Sequence, residues 1–450
     1  MQQKTRVLII GASGKLGTEL IKCFDNPDLK LRFEVFGTYN SCKTDGLEFL
    51  DITKKDIVKI TFEKIKPEIV ILPAALTYAE YCEEQPDLAY EINVEGTKNV
   101  VELCKHNSCK LIFLSSDYVF DGNAGPYSEE SNTNPLNLFG KTKVQAEEIV
   151  RKLEDHVIIR TAWVNDLNPN SKSYVMQIIN SLKENRKVIA PIDQFGHPTL
   201  SNNICDIITE LILKNKKGIF HVTGSTFVSR YELAIEIAKA FGLNSSLIEG
   251  VESSQLNQKA TRPKKVQLEL TKIKSEISTK ILSLKEQLEI MRSQYTYDTS
   301  IKDVKLIPVG QHTDQRGSLS VLASKGRSDA PNVKEIQEVY ISTSPELGTI
   351  RAEHKHERLD EYFIILDGSA KFVLVDDRKN SPSFQQKNTF FLYSKYPFAL
   401  FVPSEIYHAF ITLEKNTRCL ALSNLAYDKN EPDAFPASRS VFGNSLTVDN

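Results

Sequence analysis

The sequence predicts two folds in series: a doubly wound parallel α/β sheet, then an all-β jelly-roll barrel. Three observations predict them. Short apolar runs alternate with amphipathic segments through the first half of the chain. Near residue 295 this rhythm gives way to short strands punctuated by turns. The length, 450 residues, is more than one ordinary core fills.

Arg6–Ile10 is a compact apolar strand, and a Gly-rich turn leads from it into a helix pattern that runs through Phe24. Val35–Tyr39, Ile69–Leu72 and Leu111–Ser115 are further runs of buried-strand type, separated by amphipathic segments such as Ala89–Lys105 and Lys143–Leu153. That order suits a parallel sheet covered by helices on both faces. Ile273, Ile277, Ile281, Leu284, Leu288 and Met291 recur at helical spacing and predict one final amphipathic helix. Ser293–Asp303 is polar and unpatterned, so the expected division is a first domain over 1–293, a linker over 294–304 and a second domain over 305–450. In the second domain the predicted strands are Val339–Ser342, Glu361–Leu366, Ala370–Val375, Phe398–Val402 and Ala409–Leu413.

Composition is that of a globular protein, 41% hydrophobic and 25% charged. A net charge of -2 lacks the basic field that nucleic acid or an anionic membrane requires, so neither is an expected partner. No apolar run approaches the roughly 20 residues of a membrane span, and Met1–Arg6 shows no signal-peptide pattern. Seven scattered Cys without a CxxC pair fit reduced thiols and a cytoplasmic location.

Gly11-Ala12-Ser13-Gly14-Lys15-Leu16-Gly17 follows the first strand and opens a helix. Glycines let backbone approach a pyrophosphate, and the helix N-terminus supplies N–H groups and a positive dipole. The predicted cofactor is therefore a nicotinamide dinucleotide. Its candidate binding residues near these segments are Gly11, Ser13, Gly14, Lys15, Leu16, Gly17, Asn40, Asp51, Ile52, Ala74 and Ala75. Phe36–Ser41, at the end of the second strand, holds no Asp or Glu for a ribose 2′-hydroxyl, which disfavours strict NAD use and leaves NADP or dual use open. Asp51 and Ile52 can flank the adenine, or Asp51 can simply start the next helix.

Ser115–Gly122, Gly125–Tyr127, Pro135–Asn137, Arg160–Trp163, Asp193–Thr199 and Thr261–Pro263 resemble the extended short-chain reductases, specifically the dTDP-4-dehydrorhamnose reductase family, in consistent order over about residues 5–293. The resemblance implies that Ser116 hydrogen-bonds a substrate carbonyl and that Lys143 binds the nicotinamide ribose and acidifies a tyrosine. That tyrosine is absent, because the family's YxxxK reads Phe139-Gly140-Lys141-Thr142-Lys143. Ketone reduction needs a proton donor, and losing one costs about 10²- to 10⁴-fold in rate. Tyr118, Tyr127 or a water relay can stand in. Alternatively the domain is a binding or regulatory module, like the regulatory subunit of methionine adenosyltransferase, which shares this fold.

Gly348, His354, His356, Glu361 and Gly368 stand at the spacings of the first cupin motif, and Pro403 through His408 resemble the second, with Glu405 where Gly is usual. Two His two apart on a strand face one way. Three imidazoles and one carboxylate, His354, His356, Glu361 and His408, make a candidate site for Zn, Fe, Mn or Ni. Asp314–Ser318, Arg351, Val375–Phe384 and His408–Leu413 resemble the dTDP-4-dehydrorhamnose 3,5-epimerases, and Arg351–His356 also resembles the nucleotide-sugar 3,4-ketoisomerases, with Ala352 in place of the usual Gly. By the epimerase resemblance His354 is a metal-free base that removes a proton next to a C4 ketone, a role incompatible with metal ligation. Together the resemblances imply a bifunctional nucleotide-sugar enzyme of deoxysugar biosynthesis for surface polysaccharide, with a nucleotide-sugar substrate and a homodimeric assembly.

Overall fold

The computed structural model describes residues 4–166, 171, 173–295, 301–309, 311–314, 317–324, 336–394 and 397–448. They fall into two compact units, Met1–Leu288 and Glu289–Asn450. Of the expected linker, residues 296–300 lie outside the described set, as do Gln315 and Arg316 of the Asp314–Ser318 motif.

The first unit is built on seven strands: β1 (Thr5–Ile10), β2 (Phe33–Tyr39), β3 (Glu48–Phe49), β4 (Ile69–Leu72), β5 (Lys110–Ser116), β6 (His156–Thr161) and β7 (Gly218–His221). They lie in the order β7-β6-β5-β4-β1-β2-β3, with parallel pairing throughout. Successive side chains of a strand leave opposite faces, and both faces here are covered. Val7, Ile9, Ile71 and Ile112 pack toward the helices Lys15–Phe24 and Ser201–Leu213, in a cluster with Leu20 and Ile204. Leu8, Ile10, Val70 and Phe113 pack toward Lys55–Ile65, Thr97–Asn107 and Leu138–Val150, in a cluster with Phe62, Val100 and Ala146. Burial on both sides explains why the strands read as unbroken apolar runs.

The predicted Ala89–Lys105 segment is a composite, a short helix Pro86–Tyr90, a π-helical turn Glu91–Gly96 and the helix Thr97–Asn107. The single helix expected from Ile273 to Met291 is corrected to two, Thr271–Glu276 and Leu284–Tyr295. Ile277 is extended, and the Glu210 carboxylate accepts the N–H groups of Ser278 and Thr279 at 2.6 and 2.7 Å. Ser283 and Glu286 then exchange hydrogen bonds of 3.0 and 3.4 Å, a capping box that starts the second helix.

The second unit holds two five-stranded sheets. The strands of these two sheets are β8 (Lys305–Pro308), β9 (Glu338–Ser344), β10 (Ile350–His356), β11 (Glu361–Asp367), β12 (Ser369–Asp376), β13 (Lys387–Tyr393), β14 (Phe398–Val402), β15 (Ile406–Thr412), β16 (Thr417–Ser423) and β17 (Ala434–Pro436). One sheet runs β8-β14-β11-β16-β9 and the other β13-β12-β15-β10-β17, all antiparallel. Between them lies an apolar core that includes Phe363, Phe372, Phe390, Leu400 and Phe410. This is the predicted jelly roll.

Candidate active sites

In the first unit, β1 ends at Ile10 and Gly11 turns the chain with a φ of +94°. A Cβ on Gly11 would lie 2.9 Å from that of Ala74, and one on Gly17 would lie 2.2 Å from the Gly11 carbonyl oxygen. Both glycines are therefore demanded by close backbone approach. Gly14 caps the helix Lys15–Phe24 without a side-chain hydrogen bond, leaving first-turn N–H groups open to an anion. A cleft of about 490 Å³ lies over this loop, and Ala75, Ser116, Asp117, Phe139 and Lys143 are among its walls.

The cleft gathers Gly11, Gly14, Lys15, Leu16, Gly17, Ala75, Ser116 and Lys143 of the predicted residues; Ser13, Asn40, Asp51, Ile52 and Ala74 are outside its wall. Asn40 is exposed just beyond β2. Asp51 accepts from the N–H and hydroxyl of Thr53 at 2.9 and 2.8 Å, the geometry of a turn residue. Ile52 is buried, with its side chain against Gly96.

The helix Leu138–Val150 can seat on the Asp117–Val119 turn because residue 140 is glycine, where a Cβ would stand 2.2 Å from the Tyr118 carbonyl oxygen. Lys143 Nζ donates to the Leu114 carbonyl at 2.7 Å and lies 4.7 Å from the Phe113 ring centroid. Burial pulls its amine down to about 8, against the pull of Glu147 and Cys82. Phe139 is buried, edge-on to Tyr118 at 5.9 Å, with Lys143 Nζ 6.0 Å from its centroid. Of the stand-in tyrosines, Tyr127 is committed elsewhere, its hydroxyl donating to Asp121 at 2.6 Å, whereas Tyr118 lines the cleft.

Two residues important to the cleft carried no sequence signal. Asn93, inside the π-helical turn, ties Leu76 to Thr142 by accepting from Leu76 N at 2.7 Å and donating to Thr142 Oγ1 at 3.0 Å. Arg230 lines the cleft with its guanidinium 3.7 Å from the Trp163 ring centroid.

In the second unit His354 and His356 stand on β10, His408 pairs opposite His354 on β15, and Glu361 opens β11 of the other sheet. One ligand atom from each of the four lies within 4.8 Å of the others. His354 and His356 bring their Nε2 atoms to 3.1 Å, and Glu361 Oε2 lies 3.4 Å from His356 Nε2 and 3.2 Å from His408 Nε2. The outward atoms are engaged. His356 Nδ1 meets the Asp433 carbonyl at 2.7 Å, His408 Nδ1 meets that of Ile406 at 3.1 Å, and Tyr340 donates to Glu361 Oε1 at 2.9 Å. Glu361 Oε2 and His408 Nε2 are buried without a hydrogen-bond partner. Burial, then the neighbouring rings of His408 and His356, pulls His354 down to about 4. Burial works against ionisation of Glu361, yet His356 and His408 hold its carboxyl well below the usual range.

Ala352 and Glu405, the two positions where glycine is usual, have φ of +67° and +61°, and β10 bulges between Ala352 and His354. Left-handed backbone costs a residue with a Cβ about 1–2 kcal/mol, and glycine recovers most of that against about 0.4–1 kcal/mol of added unfolded-state entropy. Ala352→Gly is expected to stabilise the second unit by about 0.5–1 kcal/mol, read as a raised unfolding midpoint; a lowered midpoint would refute the strain.

Residues 5–297 match the family model of the RmlD substrate binding domain. The chain belongs to that family. Residues 298–438 match the model of dTDP-4-dehydrorhamnose 3,5-epimerase. An RmlD-family relative, the dTDP-4-dehydrorhamnose reductase of Aggregatibacter actinomycetemcomitans, is 32% identical over 283 residues, 60% of this chain and 92% of that protein. The methionine adenosyltransferase 2 subunit beta of Xenopus laevis is 31% identical over 60% of this chain and 81% of its own length. Among solved structures, the Bacillus anthracis dTDP-4-dehydrorhamnose reductase in complex with NADP aligns with a TM-score of 0.59 and 29% identity, covering 64% of this chain and 99% of that one. The RmlD-family chain is thus an enzyme of nucleotide-sugar metabolism, with a reductase-type unit followed by an epimerase-type cupin. Among its described residues no helix is long and apolar enough to cross a membrane.

Proposed function

We propose that the protein is a bifunctional deoxysugar enzyme for surface polysaccharide. Its cupin moves protons beside the C4 ketone of a 4-keto-6-deoxy sugar nucleotide, epimerising C3 or C5, and its first unit reduces C4 with NAD(P)H. The observation that carries this reading is the succession, in one chain, of matches to two families named for the same dehydrorhamnose nucleotide. The glycine cradle, with its uncapped helix start and overlying cleft, fits a dinucleotide. A bound nicotinamide would supply the hydride. Gly14 and the first-turn amides would hold the pyrophosphate, Lys143 the ribose, and Ser116 would donate to the ketone.

The cupin cluster fits a divalent metal, because Glu361 Oε2 and His408 Nε2 are buried, unsatisfied and converge with two further imidazoles. His354, His356, Glu361 and His408 would hold it, and the metal would polarise the carbonyl and stabilise an enolate. Tyr340 orients Glu361, so Tyr340→Phe is expected to weaken metal uptake by about 10- to 100-fold, measured by competition with a chromogenic chelator. Unchanged uptake would remove Tyr340 from the site. In the competing reading, favoured by the epimerase match, His354 is a free base. Incubation with dTDP-4-dehydrorhamnose in D₂O, with and without chelator, separates the two, since exchange that survives metal removal supports the free base. No exchange under either condition defeats the cupin assignment.

The regulatory alternative for the first unit is favoured by Phe139 and by the similarity to methionine adenosyltransferase 2 subunit beta. It predicts tight NADP binding without substrate-dependent oxidation.

A further inference from the structure

The proposed reduction needs a proton at the carbonyl oxygen, and position 139 offers only a bare ring. Asp117 follows Ser116, lines the same cleft and is 3% exposed. Its Oδ1 accepts the Ser116 hydroxyl at 2.9 Å, so carboxyl and hydroxyl already share a hydrogen bond. Several other groups at the wall are less suited. Ser115 donates to Glu147, on the helix side. Burial, with Asp117 alongside, makes the Tyr118 phenol a weaker acid despite Arg230 and Arg262. Arg230 and Arg262 stay protonated, and Lys143 donates to the Leu114 carbonyl.

We propose that in this Phe139 protein Asp117 is the general acid of ketone reduction and the Ser116 hydroxyl relays its proton; the inference rests on the reductase reading above. With Asp117 ionised the serine donates to it. With Asp117 protonated that hydrogen bond reverses, and the serine's own proton is free to face the ketone. As the carbonyl carbon accepts the hydride of a reduced nicotinamide dinucleotide, the C=O π pair moves onto oxygen. That oxygen takes the Ser116 proton, and the Asp117 O–H breaks to restore the serine. Its electron pair stays on the carboxylate, and water returns the proton once product leaves. Burial pushes the Asp117 carboxyl up to about 6, against the Ser116 hydrogen bond and the Arg230 charge. Arg230 is the charged group facing it from the helix Arg230–Ala240; Tyr118 adjoins it in the chain and Arg262 lies beyond Arg230.

The test uses the full chain. Oxidation of NADPH with dTDP-4-dehydrorhamnose is followed from pH 5 to 9 in the native protein, D117N, F139Y and the double variant. The native rate should fall about tenfold per pH unit above about 6. D117N should lose about 10²- to 10³-fold at pH 6, while the double variant stays within about tenfold of F139Y. Independently of turnover, infrared spectra of the cofactor-free protein should show a carboxylic acid band that titrates near pH 6 and is missing in D117N. The relay is overturned by equal pH profiles in native protein and D117N, by a fall centred near 8 that points to Lys143, or by no such band. Turnover in F139Y but not in the native protein overturns the relay and keeps the reductase reading. Turnover in neither overturns both.

Discussion

Phe139→Tyr is expected to raise the rate of ketone reduction at pH 8 by about 10²- to 10⁴-fold, the range a positioned general acid contributes. The ring is already seated, buried and edge-on to Tyr118, and Lys143 lies 6.0 Å from its centroid. A phenol placed there meets an ammonium that favours its ionised form, which makes it a better proton donor near neutrality. The gain should shrink toward pH 6 and below, where the raised pKa of Asp117 leaves that carboxyl largely protonated and able to serve. The measurement is NADPH oxidation against a 4-keto-6-deoxy sugar nucleotide in both proteins across pH. A Phe139→Tyr protein that binds NADP and reduces nothing would sink the reductase half and leave the first unit as a binding module.

Glu147→Ala is expected to destabilise the first unit by about 3–5 kcal/mol, because it strands a buried guanidinium. Arg160 is 0% exposed and Glu147 2%. The pair is bidentate, with Arg160 Nε to Oε1 at 3.0 Å and a terminal nitrogen to Oε2 at 2.7 Å. Ser115 adds a donor to Oε1, and the remaining Arg160 nitrogen meets the Glu129 carbonyl at 3.2 Å. Glu147→Gln keeps part of this network and should cost less. Urea unfolding followed by a first-unit probe, the single tryptophan Trp163, reads the difference. Glu147 also holds the Lys143 amine up, so its removal should lower that group further below 8. A Glu147→Ala protein as stable as the parent would mean that water reaches Arg160 and that the pair is not structural.

Periodicity and motif spacing made the two folds legible because they depend on local rules. The runs Val7–Ile10 and Ile69–Leu72 are apolar because both faces are covered, and the His354–His356 spacing faces one way because strands alternate. What escaped depends on distant contacts. The break between Thr271–Glu276 and Leu284–Tyr295 is imposed partly by Glu210, far away in the chain, although the Ser283–Glu286 capping box was present to be read. Asn93 sits in a π-helical turn that no periodicity announces, and Tyr340 reaches Glu361 only because β9 and β11 share a sheet. At Asn40, Asp51 and Ile52, singled out for the cofactor by chain position alone, the fold gives an exposed residue beyond β2, a turn and a packed side chain.

The placement of Glu361 on one sheet and of the three histidines on the other has a mechanical consequence. Whatever satisfies Glu361 Oε2 and His408 Nε2 together also rivets the two walls of the barrel to each other. Filling the centre must then lift the melting temperature of the second unit in proportion to how tightly it is filled. A simple thermal scan across a series of divalent ions would rank its preferred occupant before any substrate is in hand.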